Sequence, residues 1–600
     1  MADSTSGSGG DRLRLPDSHK GMQVNACRNS ACPNFGVGAS AKTPRGKNAN
    51  GYVLAKSSDI APDRRLRCKL CGHTSSIKSN EAIAKEMARL SAYLEPRPAP
   101  DPGCGTQGCG NAAFGVRSHP DRYASKGRRR GAQRYRCKAC GRVFSVPVSS
   151  THRQKKPHIN RGLFAEIVSK KPIRGTAFVF GVNPATVYEK LDFLYEQCRG
   201  FAGEREAQLH RKELGRIKLC VDRQDYIVNW RSRNVRKNIQ LSAICTVEGR
   251  SGYVLGHHLN YDPNINQVDV EDAARMNGDL DPGRPSYFKA NPQYWLGDEF
   301  QRLAGLADTE IPLNLERAFP VVEDLIEAKN IVEGRRPEPE RADMPGFENQ
   351  LPPDGVMTRV DYTAFAHARL IERFVRGASR VRVYLDQDAM LRLAYLSAFS
   401  PRIALGEVEM AYVQFTKMQD RDFREQCKRT SDSFVKDLVR QGYGSTEAEA
   451  IRGWFWCEYG IKRRDVLDWK ERWITHPRST LGEPEKKVLY LTDRSEITQK
   501  ALDRASWTLA QATLAPVDSY FMRLRRKNYY IERPLQTRSN GERVWNGYHA
   551  YDPKRIMQLL EIYRVYSNYV RVPDTKDGKT PAMELGLARG PVSLEDIIYF

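Results

Sequence analysis

The stretch Arg216-Ile-Lys-Leu-Cys-Val-Asp222 decides how the chain is read. Ile217, Leu219 and Val221 alternate with Lys218, Cys220 and Asp222, the two-residue period of a pleated strand. The pattern predicts a buried strand that ends in a carboxylate. Far downstream, Val381-Arg-Val-Tyr-Leu-Asp386 has the same form, with Val381, Val383 and Leu385 on one face and Arg382, Tyr384 and Asp386 on the other. An Asp at the end of a single strand is ordinarily a turn residue. Two strands that each deliver an Asp at the same end, on the same parity, can set both carboxylates side by side. Paired carboxylates hold divalent metals for phosphoryl transfer.

Around these strands lies a long, basic chain. Its 600 residues exceed what one core supports, so several domains are expected. Lys and Arg number 96 against 72 Asp and Glu, a net charge of +24 with a pI near 9.5. Such a charge points to a polyanion, nucleic acid first. No apolar run reaches the ~18 residues of a membrane span, and no signal-peptide apolar region opens the sequence. A cytoplasmic, nucleoid-associated protein without disulfides is therefore expected. The 13 cysteines need another explanation, and eight of them lie before residue 141.

Those eight form an internal repeat. Cys27 and Cys32 are followed by Cys68 and Cys71; Cys104 and Cys109 are followed by Cys137 and Cys140. Arg67-Cys-Lys-Leu-Cys-Gly72 matches Arg136-Cys-Lys-Ala-Cys-Gly141, and Cys32-Pro-Asn-Phe-Gly-Val37 echoes Cys109-Gly-Asn-Ala-Ala-Phe-Gly-Val116. Each copy offers four thiolates in two close pairs, the ligand set of one structural zinc. A Gly after each Cys-x-x-Cys lets the chain turn tightly. Asn80–Leu94, between the copies, reads as a short helix that ends at a Pro-rich linker.

Basic runs surround the second copy: Lys126-Gly-Arg128-Arg129-Arg130, Gln133-Arg-Tyr-Arg136 and His152-Arg-Gln-Lys-Lys156. Beside a zinc ribbon on a basic chain, phosphate contact is the reading taken. Residues 160–200 then carry a helix-turn-helix pattern, although an ordinary helical hairpin would look alike. Leu163, Ile167 and Val168 share one face; Thr176–Phe180 is a short second helix; Pro184 opens a third, Ala185–Cys198, with Val187, Leu191 and Leu194 inward. Asn183, Thr186, Tyr188 and Lys190 are read as exposed and within reach of a DNA groove.

After Asp222 the pattern continues as strands at Ile239–Val247 and Tyr253–His257, a Pro- and charge-rich insertion, a helix at Tyr362–Val375, the strand ending at Asp386, a helix at Ala389–Ala398 and a strand at Glu407–Phe415. That is the ribonuclease-H-like order, in which the first and fourth strands are adjacent and parallel. The expected fold is multidomain α/β. It comprises a disordered segment over 1–20, zinc ribbons over 21–95 and 100–150, a helix-turn-helix over 158–202 and a ribonuclease-H-like mixed-sheet core over 214–570. Insertions fall near 259–360 and 417–514, the second rich in Trp, and 571–600 forms a tail without a motif.

With these residues in view, the chain resembles bacterial insertion-sequence transposases of the DDE/DDD type. The resemblance rests on Gln133-Arg-Tyr-Arg-Cys-Lys-Ala-Cys-Gly-Arg-Val-Phe144, which closes their zinc ribbon, on the helix-turn-helix, and on the opening of the core from Val221 to His257. Asp518-Ser-Tyr-Phe-Met-Arg-Leu-Arg-Arg-Lys527 and Tyr530-Ile-Glu-Arg-Pro534 resemble its closing helix. It implies a catalytic triad of Asp222, Asp386 and a third acid, magnesium or manganese in the site, and double-stranded DNA with terminal inverted repeats as partner. A homodimer or higher oligomer is implied too.

For the third acid Asp518 is chosen, with Glu532 as the alternative. Val517, Phe521 and Leu524 make a buried stripe that sets Asp518 beside it, although an acid in a first helical turn also suits the dipole. Asp225 and Asp388 lie close enough that a register shift would exchange roles. Arg523, Arg525 and Arg526 are read as phosphate contacts near the cut. Two other readings stay open: a DNA-binding descendant without catalysis, and a nuclease of the same core that cuts without strand transfer.

Overall fold

The computed structural model describes residues 15–39, 51–56, 63–96, 101–129, 132–147, 150–151, 154–231, 234–307, 349–416, 420–494, 496, 498–532, 547–573 and 577–600. Two small antiparallel sheets come first. Strands β1 (Tyr52–Lys56), β2 (Arg64–Cys68) and β3 (Thr74–Ser76) form one, and helix α1 (Asn80–Ser91) follows it, capped by Ser79. Strands β4 (Tyr123–Arg129), β5 (Ala132–Cys137) and β6 (Val143–Pro147) form the other in the same order. The turn glycines after the Cys-x-x-Cys pairs are left-handed, Gly72 at φ +71° and Gly141 at +74°, a conformation that favours Gly.

Three helices come next: α2 (Asn160–Ile167), α3 (Ile173–Val179) and α4 (Pro184–Glu206). Val187, Leu191 and Leu194 are buried as expected. The third helix is longer than its sequence signal because Cys198, Phe201 and Ala202 continue its buried stripe.

Seven strands build the central mixed sheet. They are β7 (Gly215–Val228), β8 (Ile239–Glu248), β9 (Val254–Leu259), β12 (Ala378–Asp386), β13 (Val408–Gln414), β14 (Ile474–Thr475) and β15 (Lys487–Tyr490), while β10 (Tyr261–Asp262) and β11 (Val356–Met357) pair separately. The order across the sheet is β14-β15-β13-β12-β7-β8-β9. β12 runs parallel to both β7 and β13, and the β7–β8–β9 meander is antiparallel. β7 does not stop at Asp222: it runs on to Val228, because β8 pairs with it from Leu219↔Glu248 to Val228↔Ile239. The Trp-rich segment read as an insertion over 417–514 also adds β15 and β14 to the sheet edge beside β13.

Helices cover both faces. Between β9 and β12 lie α5 (Gln267–Met276), α6 (Gly297–Ala307) and α7 (Val360–Phe374); α8 (Ala389–Ala398) and α9 (Ser400–Leu405) follow β12. The later insertion supplies α10 (Arg421–Arg440) and α11 (Glu447–Asp465), and then come α12 (Gln499–Ala510) and α13 (Ala515–Lys527). α13 packs on β7 and β8. On that face Cys220 Sγ lies 3.3 Å from Thr513 O, and the Tyr384 hydroxyl donates to Thr508 O at 3.1 Å. Helix α14 (Pro553–Val565) packs on α4. Residues 577–600 pack back as well: Gln197 Nε2 donates to Ile598 O at 2.9 Å and to Phe600 O at 3.1 Å. No helix among the described residues is long and apolar enough to cross a membrane.

Candidate active site

The parallel ladder decides which acids meet. Val221 lies opposite Leu385 in the β7–β12 register, so Asp222 and Asp386 follow at the same level. Both leave the sheet on the α13 side, with Cys220 and Tyr384. Asp518 stands in the first turn of α13. Asp222, Asp386 and Asp518 line one cleft of about 1050 Å3, together with Asp225, Arg525 and Glu532. The three carboxylates gather less tightly than the thiols described below. As a donor set, carboxylate oxygens suit magnesium or manganese.

The neighbouring acids are sorted by their bonds. Asp388 caps α8, accepting from Met390 N at 2.8 Å and Leu391 N at 3.2 Å, and faces Arg223 Nε at 3.5 Å. Burial pushes its carboxyl above the usual range, with Arg223 opposing. Asp225 accepts from Ser242 Oγ at 2.5 Å. Glu532 pairs with Lys170 Nζ at 3.0 Å, a link from the α2–α3 turn to the segment that follows α13. No register shift separates β7 and β12 at the acids; the one irregularity lies at Ala378–Arg380.

Of the three arginines on α13, Arg525 lines the cleft. Arg523 turns to Ser519 Oγ, to which it donates at 2.5 Å, and Arg526 is exposed. Two cleft residues from the insertion carried no signal in the sequence, Arg424 and Glu483. Their separation along the chain from Asp518 hides them; only the docking of the insertion brings them there.

In the helix-turn-helix segment Asn183 is exposed and caps α4, accepting from Ala185 N at 2.9 Å. Thr186 is half-buried, and Tyr188 is exposed under the Arg555 guanidinium, 5.0 Å from its ring centre. Lys190 corrects the sequence reading. It is only 3 % exposed, and its ammonium donates to Lys155 O at 2.7 Å and Lys156 O at 3.2 Å. Its alkyl stem lies on the buried side of the helix, one residue before Leu191, so it is not presented to a groove. Arg128 and Arg129 are exposed on β4, and Arg130 lies outside the described residues.

Both cysteine groups close. In each, the four Sγ atoms lie within 4.8 Å of one another. The close pairs are Cys27–Cys71 at 3.5 Å, Cys32–Cys68 at 3.7 Å, Cys104–Cys140 at 3.4 Å and Cys109–Cys137 at 3.8 Å. A tetrahedron with ~2.3 Å zinc–sulfur bonds has edges of ~3.8 Å, so each group could hold one zinc. Donors favour thiolate at one sulfur of each group, with Asn34 Nδ2 3.5 Å from Cys68 Sγ and Asn111 Nδ2 3.4 Å from Cys137 Sγ, whereas burial pushes the Cys32 thiol up to about 11. The Arg142 N–H and the Thr106 hydroxyl pull the Cys140 thiol down to about 6. No protein-family model matches this chain, and no curated protein matches it.

Proposed function

We propose that the chain is a DNA transposase of the DDE/DDD type, which binds the ends of a DNA element, hydrolyses a phosphodiester there and transfers the freed strand. The observation that carries this reading is the in-register parallel pairing of β7 and β12, which sets Asp222 level with Asp386 in the cleft that Asp518 also lines. The β9-β8-β7-β12-β13 order supports a ribonuclease-H-like core. Asp222, Asp386 and Asp518 are the residues that would hold magnesium or manganese. Such ions, when bound, lower the pKa of an attacking water and stabilise a leaving oxygen.

The chain's own groups do the rest. Arg525 and Arg424 on the cleft walls neutralise phosphate brought to the acids. The exposed Lys126, Arg128, Arg129 and Arg136 of the second ribbon hold the duplex backbone. In hydrolysis a water oxygen bonds to phosphorus, the bond to the 3′ oxygen breaks, and that oxygen leaves with a proton. The 3′-hydroxyl then attacks a target phosphodiester, exchanging one P–O bond for another, so no Ser or Tyr nucleophile of the protein is required. Zinc in the two ribbons is structural. Two ends to be joined call for a homodimer or higher assembly on terminal inverted repeats, at the nucleoid.

The test is manganese- or magnesium-dependent nicking of a supercoiled plasmid that carries the gene's native flanks. Flank-dependent nicking that falls to background in Asp386→Ala is expected. Flank-independent cutting lost in the same variant would make the protein a nuclease. Tight binding without cutting, unchanged by the substitution, would leave a DNA-binding protein and remove the catalytic reading.

A further inference from the structure

Helix α13 has one local acceptor at its start, Thr513 Oγ1, which accepts from Ala515 N at 3.1 Å. Its N-cap residue is Leu514, which has no side-chain acceptor, and Pro516 occupies its first turn. A helix start leaves backbone N–H groups without intrahelical acceptors. Here a second, charged acceptor arrives from 31 residues upstream. Glu483 Oε1 accepts from Leu514 N at 2.7 Å, from Ala515 N at 3.1 Å and from Thr513 Oγ1 at 2.7 Å. Its other oxygen accepts from Lys486 Nζ at 3.0 Å, and Lys486 also donates to Ala512 O at 2.9 Å. Both side chains are buried, Glu483 at 2 % exposure and Lys486 at 4 %.

The cap belongs to the later insertion. Thr480 and Glu483 close a turn by mutual backbone bonds of 3.2 Å, and Ser479 N donates to Ser431 Oγ on α10 at 2.7 Å. Glu483 also lines the cleft of Asp222, Asp386 and Asp518. A buried carboxylate that bonds a helix start fixes where the first turn sits, and Asp518 is in that turn. An acid engaged by three donors and an ammonium is spent on structure rather than on a metal.

We propose that Glu483 is a positioning residue: by capping α13 from the insertion, it sets Asp518 against the Asp222–Asp386 pair. This rests on the reading of those three acids as a divalent-metal site. It also gives the insertion a task inside the cleft, since losing its turn would free the helix that carries the third acid.

The experiment compares wild type, Glu483→Ala and Glu483→Gln as full-length protein. Three quantities are read: amide exchange over residues 512–520, Mn2+ binding by electron paramagnetic resonance, and the Mn2+ concentration that half-saturates nicking. In Glu483→Ala, exchange should quicken about tenfold, and both Mn2+ measures should weaken by about tenfold. Glu483→Gln keeps an oxygen acceptor and should recover most of both, with zinc content unchanged. Should Glu483→Ala fail to fold, the Gln variant alone decides: it overturns the proposal if it loses Mn2+ binding while keeping exchange protection. Unchanged exchange in Glu483→Ala, or faster exchange with unchanged Mn2+ binding, also overturns it. A wild type that binds no Mn2+ removes the active-site reading and this proposal together, whereas unchanged exchange removes this proposal alone.

Discussion

In the first ribbon the Tyr52 hydroxyl accepts from Cys27 N at 2.9 Å and donates to Val37 O at 2.6 Å; in the second, Tyr123 does the same with Cys104 N at 3.1 Å and Phe114 O at 2.5 Å. The plan is one, yet the surroundings differ. The first ribbon is built into the core. Ser30 Oγ donates to Leu491 O at 3.1 Å and Asp493 O at 2.6 Å. Lys78 pairs with Asp361 of α7, Glu86 accepts from Thr363 at 2.8 Å, and Arg28 lies buried over the Phe365 ring. Burial pushes the Arg28 guanidinium down to about 9. The second ribbon has a small core of its own, Cys104, Val116, Tyr123, Cys137 and Val146. Among the described residues, the side-chain hydrogen bonds of 101–146 close within it. Equal repeats thus differ in what they can lose: one is a wall of the core, while the other, among the described residues, keeps its side-chain hydrogen bonds to itself with its cations outward.

Removing one cysteine from each four-cysteine group should separate the two ribbons most. Cys68→Ser should lower the main thermal transition by more than about 10 °C, because a structural zinc site contributes folding energy directly and this one is joined to the core. Cys137→Ser should cost one zinc and leave that transition within about 2 °C. Calorimetry with zinc analysis reads both, and equal shifts would end the distinction.

Acid should also act on the first ribbon through a buried carboxylate beside it. Tyr287 packs into the first ribbon's core, and the segment after it is tied by Lys289 to Glu299, which also pairs with Arg359. Burial would raise the Glu299 carboxyl, but Arg359 and Lys289 outweigh it and hold it down to about 2. A depressed carboxyl stabilises the fold fully above its unfolded value near 4.5, and that contribution is lost as pH falls toward 2. The loss is on the order of 3 kcal/mol. Amide protection factors around Tyr287 and Lys289, corrected for the intrinsic pH dependence of exchange, should therefore fall between pH 4.5 and 2 in wild type. Glu299→Gln should flatten that fall, a difference from wild type that acid release of zinc, common to both proteins, does not produce.

The smallest effect is on DNA. Replacing Arg128, Arg129 and Arg136 by Ala should reduce the slope of log affinity against log salt by about 2 to 3. Fluorescence anisotropy on a duplex measures it. A slope equal to wild type would mean that the outward cations of the second ribbon touch no phosphate.

What could be read from the sequence was local and periodic. Alternation put Asp222 and Asp386 on matching faces, and paired cysteines with a following Gly marked both four-cysteine groups that could hold a metal, because strand period and ligand spacing are written in neighbouring residues. Such signals do not say where a strand stops when a partner strand extends it, as β8 extends β7 beyond Asp222. Nor do they say that Lys190 turns inward to two carbonyls or that Asp388 is used as a cap. Tertiary structure alone decided that the first ribbon is docked on the core and that Glu483 bonds the start of the helix of Asp518. Docking, burial and capping across 31 residues are contacts between distant segments, and their free energy exists only once the chain has packed.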